Sequence, residues 1–380
     1  LYTVLNEPPG GIEILTYTDP AMFTGADPDP MFDEDDELVF LAGSSGDSAG
    51  SAGPPAGTVP GTQVQIRLQH PDSGESGWVY LFLSAGSLDP AAGEPDIAYS
   101  FELLSGDYRT TYNTGNGTNP ETSSVTTPAY TVRFSDRWIR DSMEIHAGGA
   151  GSADILDRHR SQFTPTNCSR TEDTFSNGSG AFIVNRTGPV RALRGYMGAN
   201  SGPTTYRIHA FYREREVVLT ALRVHQIVGV MDFMDYAPSA SGMVYANNLN
   251  TAGVTVDGSA DSIATGRLEW EILTGNQGTV AQAHRFVLEQ PGLQPGSYYA
   301  DEADPAVDPC AGDGSEYGAS GHRFDQTIRN TDPALEQQAG ELYRFELIRT
   351  LAYGPPNQPN RFATELAGEL SAPLVVAVDA

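Results

Sequence analysis

Apolar and polar residues alternate over short runs along most of this chain, the spacing of strands with one buried face. VQIRLQH (64–70) and GWVYLFLS (77–84), joined by PDSGES, predict a hairpin. IAYSFELLSGDYRTTYN (97–113), YTVRFSDRWIRDSMEIHAGG (130–149), GMVYANNLNTAGVTVDGS (242–259), RLEWEILTG (267–275) and AQAHRFVLEQ (281–290) read as further strands. ADILDRHR (153–160) reads as a short helix or turn. ALEQQAGELYRFELIRTLAYG (334–354) starts with helical character, then alternates as a strand. LYTVLNEPPGGIEILTYTDP (1–20) holds two short apolar strands around Pro-Pro-Gly-Gly, and APLVVAVDA ends the chain as another. GSSGDSAGSAGPPAGTVPGT (43–62) reads as a flexible loop, and the stretches 113–127, 161–180 and 297–322 as long polar or acidic loops. The pattern predicts an all-β, large antiparallel β-sandwich with long loops and little helix. With no fixed-period repeat and no linker, it predicts a single domain over 1–380.

The most regular stretch runs from Gly180 to Ala237. Within it, YRIHAFYR (206–213) and VVLTALRVHQI (217–227) predict a hairpin closed by Glu214-Arg215-Glu216. Pairing Arg213 with Val217 puts Tyr206, Ile208, Val218 and Leu222 on an apolar core face. The other face then carries Arg207, His209, Arg223 and His225. Arginine forks bind carboxylates, and histidine works near neutral pH as an acid or base. Those four residues are the catalytic candidates, suited to taking a proton beside a uronate carboxylate. The competing reading is a structural layer in which the arginines pair with Asp or Glu.

Composition narrows the chemistry. All 22 basic residues are arginine, so lysine nucleophiles and Schiff bases are excluded. The net charge of −27 argues against nucleic acid and anionic membranes as partners. No run is long and apolar enough for a membrane-spanning helix. Numbering from Leu1 without a signal-like segment suggests a secreted, extracellular protein whose signal was removed. Cys168 and Cys310 would form one long-range disulfide in an oxidising compartment, or stay as two buried thiols. Asn116, Asn167, Asn177 and Asn185 head glycosylation triplets. Asp27, Asp29, Asp33, Asp35 and Asp36 offer oxygens to Ca²⁺, but without EF-hand spacing; the alternative is a solvated acidic loop. Arg133, Asp136, Arg137, Arg140 and Asp141 read as an ion-pair network or a polar sugar groove. No G-x-S-x-G, H-E-x-x-H or P-loop is present. Asp232 and Asp235, with Tyr236, are the one acidic pair singled out for glycoside chemistry.

The run TGPVRALRGYMG followed by TYRIHAFYREREVVLTALRVH resembles the galactose-mutarotase-like β-supersandwich, on Gly188, Pro189, Val190, Arg191 and Ala192. That superfamily includes polysaccharide lyases and accessory domains of glycoside hydrolases. The resemblance implies a fold and maps no catalytic residue onto this chain. Three functions follow as expectations. The first is a non-catalytic structural or surface-assembly subunit, filament-type, joined to other copies of itself by strand or loop contacts. The second is a uronate lyase-like enzyme acting on polysaccharide. The third is a carbohydrate-binding protein using the same face with Trp138 and Tyr206.

Overall fold

The computed structural model describes residues 38–50, 52–87, 95–101, 123–135, 138–163, 170–172, 181–197, 206–223, 227–288, 294–303, 315–328 and 344–379. These residues form four antiparallel sheets and one α-helix. The largest sheet has nine strands. From edge to edge they are β15 (Asn250–Thr255), β14 (Val244–Asn247), β16 (Trp270–Gly275), β17 (Gly278–Leu288), β20 (Arg344–Gly354), β12 (Arg215–Arg223), β11 (Tyr206–Phe211), β10 (Ala192–Met197) and β9 (Ala181–Arg186).

Two smaller sheets cover its inner face. One comprises β18 (Gly296–Glu302), β19 (Glu316–Ile328), β13 (Ile227–Tyr236), β7 (Leu156–Phe163) and β8 (Arg170–Thr171). The other comprises β3 (Ala98–Phe101), β4 (Ser123–Thr126), β5 (Tyr130–Phe134) and β6 (Arg140–Ile145). A single cluster of buried side chains joins all three. It runs from Val125, Val132 and Phe134 through Phe211, Val218 and Leu351 to Met234, Tyr236 and Tyr245. This is the all-β sandwich that the alternation predicts. Gly321 lets β19 approach β13, because a Cβ there would lie 2.5 Å from the Asp232 carbonyl and the Phe233 Cα.

The helix α1 (Arg361–Ser371) lies on the outer face of the large sheet. It presents Phe362, Ala363, Leu366, Ala367 and Leu370 along one stripe. Beneath it, Ala281, Ala283 and Ala352 keep the sheet surface flat enough for close approach. The alternation of β17 and β20 supports both layers. Gln282, Arg349 and Leu351 face inward, while Ala283 and Ala352 meet the helix.

A fourth sheet holds β2 (Ser76–Ser84), β1 (Thr58–Gln69) and the C-terminal strand β21 (Val375–Asp379), in that order. The β1–β2 hairpin has the predicted turn, with Gln69 opposite Ser76. Several expectations change. The stretches 113–127, 161–180 and 297–322, expected as loops, hold β4, β8, and β18 with the start of β19, because those strands are short or polar. The 43–62 loop is shorter, because β1 begins at Thr58 and a bridge ties Gly46 to Trp78. Residues 156–163 are a strand, not a helix or turn. Gly188–Arg191 precede β10 as a turn, so only Ala192 of the Gly-Pro-Val-Arg-Ala run enters that strand.

Candidate functional site

The β11–β12 hairpin differs from the predicted register. Tyr206 pairs with Ala221, Arg207 with Thr220, His209 with Val218 and Phe211 with Glu216. The Tyr212 amide donates to the Arg215 carbonyl at 2.8 Å, so the turn is two residues, Arg213-Glu214, rather than three. Changing the loop by one residue changes the parity of the pairing, which swaps the face of every residue on one strand. The buried face therefore consists of Arg207, His209 and Phe211 with Glu216, Val218 and Thr220. Ile208, Ala210, Val217 and Leu219 share the other face and are half-buried. Arg223 takes a strand position with the parity of Leu219, and its backbone pairs with Arg344. His225 lies outside the described residues.

Two polar networks hold this face. In the first, Glu216 accepts two bonds from Arg140 Nη1, at 3.0 and 2.8 Å. It also accepts one from the Tyr353 hydroxyl at 2.9 Å and meets His209 Nδ1 at 2.8 Å. Arg140 donates in turn to Tyr353 at 2.7 Å. Phe211 stacks on the His209 ring. In the second, Asp232 sits between Arg207 Nη2 at 2.6 Å and Arg349 Nη1 at 2.7 Å. It also accepts from the Ser161 hydroxyl at 2.8 Å. His159 Nε2 lies 3.0 Å from Asp232 Oδ1 and 2.9 Å from Arg349 Nη1, so its tautomer decides which it serves. A third group follows along β16, β17 and β19. Glu271 accepts from Tyr245 at 3.0 Å, while His322 Nε2 meets His284 Nδ1 at 3.0 Å.

Burial and charge fix the protonation states. Burial lowers His209 to about 3, against the opposing hydrogen bond that it donates to Glu216. Burial and the Arg207 charge lower His159 to about 3, with Asp232 opposing. His284 and His322 are lowered by burial as well. For Glu216, burial pushes upward, but Arg140 and His209 outweigh it and hold the carboxyl at about 2. Asp232 likewise lies well below the usual range: burial raises it, while His159, Arg349 and Arg207 lower it by more. The histidines are therefore neutral and these carboxylates ionised near neutral pH.

Arg207 and His209 are fully buried and committed to carboxylates, so a uronate has no route to them in this arrangement. Trp138 is also buried; the Arg207 guanidinium lies 4.8 Å from its ring centre, so it offers no exposed stacking platform. Asp232 and Asp235 do not act as a pair. Asp232 faces the large sheet, whereas Asp235 accepts from Arg160 at 2.8 Å beside Glu172. Of the charged run on β5 and β6, Arg133 pairs with Glu144, and Arg140 belongs to the Glu216 network. Cys168, Cys310, Asp27, Asp29, Asp33, Asp35, Asp36, Asn116, Asn167 and Asn177 lie outside the described residues. Asn185 falls in the edge strand β9, opposite Arg194. Among the described residues, no group of three or more His, Cys, Asp or Glu is arranged to hold a metal, and no helix is long and apolar enough to cross a membrane.

Two surface features remain. A cleft of about 440 Å³ lies between α1 and the Arg213-Glu214 turn, with Tyr353 and Phe362 among its walls. Its rim includes Glu365 and the Arg215–Glu369 ion pair. The second feature is the small sheet. Ile66 opposes Val79 and Val378, and Leu68 opposes Gly77 and Val376, so these residues share one face. Ile66 and Leu68 are buried, but Val376 is 50 % exposed and Val378 61 %. Val375 and Leu83 are also exposed, and among the described residues β21 has a strand on one side only. The sequence signal for this edge is Val-Val-Ala-Val, which is apolar at consecutive positions and so leaves no polar face for solvent.

No family model and no curated protein matches the chain. Among solved structures, an alpha-mannosidase from Enterococcus faecalis is similar at 10 % identity and a TM-score of 0.41. The match covers 85 % of this chain and 39 % of that one. A likeness of that size carries neither a fold assignment nor an activity.

Proposed function

We propose that this protein is an extracellular, non-catalytic β-sandwich subunit that assembles with copies of itself through strand contacts. The observation that carries the reading is β21: an apolar Val-Val-Ala-Val edge strand with no neighbour on its outer side among the described residues, on a sheet whose apolar face thins into solvent. A long apolar edge is a template for pairing with another chain, and proteins that do not use such edges shield them with charge, proline or cover. The acidic, lysine-free composition supports a secreted surface. Sedimentation velocity across a concentration series, with electron microscopy of the same samples, tests the proposal. Species larger than a monomer that grow with concentration are expected; a lone monomer throughout overturns it.

A second reading, carbohydrate binding, is favoured by the cleft beside α1, where the half-buried Phe362 meets a charged rim. Aromatic walls with a few polar groups are the usual make-up of small-ligand clefts. Titration calorimetry with neutral and acidic oligosaccharides tests it. Heat that disappears in Phe362→Ala supports it, and no heat with any of them removes it.

A further inference from the structure

The geometry points to a binding platform for an extended, neutral polysaccharide on the second face of the small sheet, built on Trp78, Tyr80 and Phe82. The site lies apart from the α1 cleft, and it holds whether or not copies associate through β21. The β1–β2 hairpin has two unlike faces. Ile66 with Val79 and Leu68 with Gly77 share one of them, where Ile66 and Leu68 are buried, so that is the core side. On the other face Gln63 lies opposite Phe82, Gln65 opposite Tyr80, Arg67 opposite Trp78 and Gln69 opposite Ser76. Three rings therefore line β2 on the side away from the core, and each is partly exposed. In an ordinary antiparallel sheet the solvent side alternates to polar residues, so three aromatic rings there mark a contact surface.

The chemistry of the two rows selects the ligand. Trp78, Tyr80 and Phe82 alternate along one strand, so neighbours stand roughly 7 Å apart and the outer two roughly 13 Å. That row is longer than a single pyranose ring and straight, which suits an extended chain. The C–H faces of sugars are apolar and pack on aromatic rings, while their hydroxyls both donate and accept. Glutamine amides also do both, and Gln63, Gln65 and Gln69 form the adjoining row. In a chain with 49 acidic residues, these two rows hold no carboxylate, and Arg67 is their one charge. An uncharged polymer complements such a surface, whereas nucleic acid or a polyuronate calls for several cations. An apolar protein surface would bury the glutamines without partners.

Local bonds hold the rings in place. Gly46 exchanges both backbone hydrogen bonds with Trp78, at 3.0 and 2.8 Å, and the Ala49 amide donates to the Tyr80 hydroxyl at 2.8 Å. Tyr80 is thus fixed before a ligand arrives, which lowers the ordering cost of binding. Of the three tryptophans, Trp138 is 1 % exposed and Trp270 7 %, so Trp78 is the most accessible indole and reports directly on the platform.

The test uses the full chain. Its depletion from solution is measured on microcrystalline cellulose, chitin and insoluble mannan, at low and high salt, with polygalacturonate as the acidic control. Acrylamide quenching of tryptophan fluorescence is read with and without the matching hexasaccharides. Retention on at least one neutral polymer, unchanged by salt, is expected, with the matching hexasaccharide shielding Trp78 from quenching. Trp78→Ala is expected to weaken binding at least tenfold, Trp78→Phe to keep most of it and Phe362→Ala to leave it unchanged, with circular dichroism confirming each fold. No retention on any of the three neutral polymers, or retention confined to polygalacturonate, overturns the inference. If Phe362→Ala abolishes binding and Trp78→Ala does not, the cleft reading stands and the platform falls. If Trp78→Ala fails to fold, quenching of the wild-type chain decides, and binding without shielding overturns the inference.

Discussion

The interior of the large sandwich and the edge of the small sheet invert the usual arrangement of side chains. Between the large sheets lie Arg140, Arg207, Arg349, Glu216 and Asp232, all closed to solvent. On the small sheet, Val375, Val376 and Val378 stand in water. The difference is partners, not polarity. Each buried carboxylate named here meets at least one guanidinium and a further hydrogen-bond donor, so its loss of hydration is compensated. The valines of β21 have no such completion from their own described fold. A satisfied charge can therefore be structural, and an unsatisfied apolar strand can be the functional surface.

The comparison breaks most sharply at Asp232. Asp232→Ala leaves Arg207 and Arg349 buried without their shared carboxylate. Stability is expected to fall by at least about 3–5 kcal/mol, as when one partner of a buried ion pair is removed. Urea unfolding, or the soluble yield if the variant does not fold, measures this. A loss under about 1 kcal/mol would mean that the network is not what holds the two sheets together.

Acid should attack the same layer. His159 and His209 titrate at about 3 in the folded protein, against about 6.5 when unfolded. As pH falls below 6.5 the unfolded chain takes these protons first. The stabilisation is complete above pH 6.5 and drains away down to about pH 3, each histidine contributing up to about 1.4 kcal/mol per pH unit. His284 and His322 shift in the same direction and deepen the slope. Glu216 and Asp232, both depressed, lose their contribution only as pH falls further through the carboxylate range. The urea midpoint should therefore begin to drop near pH 6.5; a flat midpoint down to pH 5 would contradict neutral, buried histidines.

The outer face of the same sheet is an ordinary apolar contact and should respond as one. Leu366→Ala in α1 removes the helix's largest buried side chain from its contact with Ala281 and Ala283. A loss of about 2 kcal/mol is expected, at the low end for buried leucines because the contact cluster is small. Thermal unfolding checks this against Asp232→Ala. The smallest effect belongs to β21. Val376→Thr with Val378→Thr retains the branched strand shape and should change monomer stability by no more than about 0.5 kcal/mol. The same double variant should weaken self-association measurably in sedimentation. A large stability loss with unchanged association would show that these valines serve their own fold.

Much of the fold was legible because alternation and turn residues agreed. The β1–β2 hairpin, with Pro71 to Gly74 in its turn and apolar alternation on both arms, is the clearest case. The candidate face was half legible. Arg207 and His209 do share a face, but sorting residues by polarity sets that face opposite the core and recruits Arg223 and His225 to it. The two-residue turn at Arg213-Glu214 settles the parity instead, and it brings Glu216 to the same side as His209. The compensating groups come from far along the chain: Arg140 from β6, Asp232 from β13 and Arg349 from β20. Local pattern carries no trace of such partners. β7 was misread for the same reason: Leu-Asp-Arg-His-Arg-Ser looks too polar for a buried strand until Asp232, Asp235 and Glu172 are placed beside it. α1 is hard to read because its apolar stripe is short and two of its five residues are alanines.

The pairing of β1 with β21 also sets an order of events during synthesis. Gln69 and Val375 are register partners at opposite ends of the sequence, with every strand of the sandwich encoded between them. The β1–β2 hairpin and strands β3 to β20 can pair as they emerge, whereas the small sheet gains its third strand only when β21 closes a loop spanning them all. The valine edge therefore forms only once β21 has been made. A chain that stops before Val375, truncated or still on the ribosome, lacks that edge.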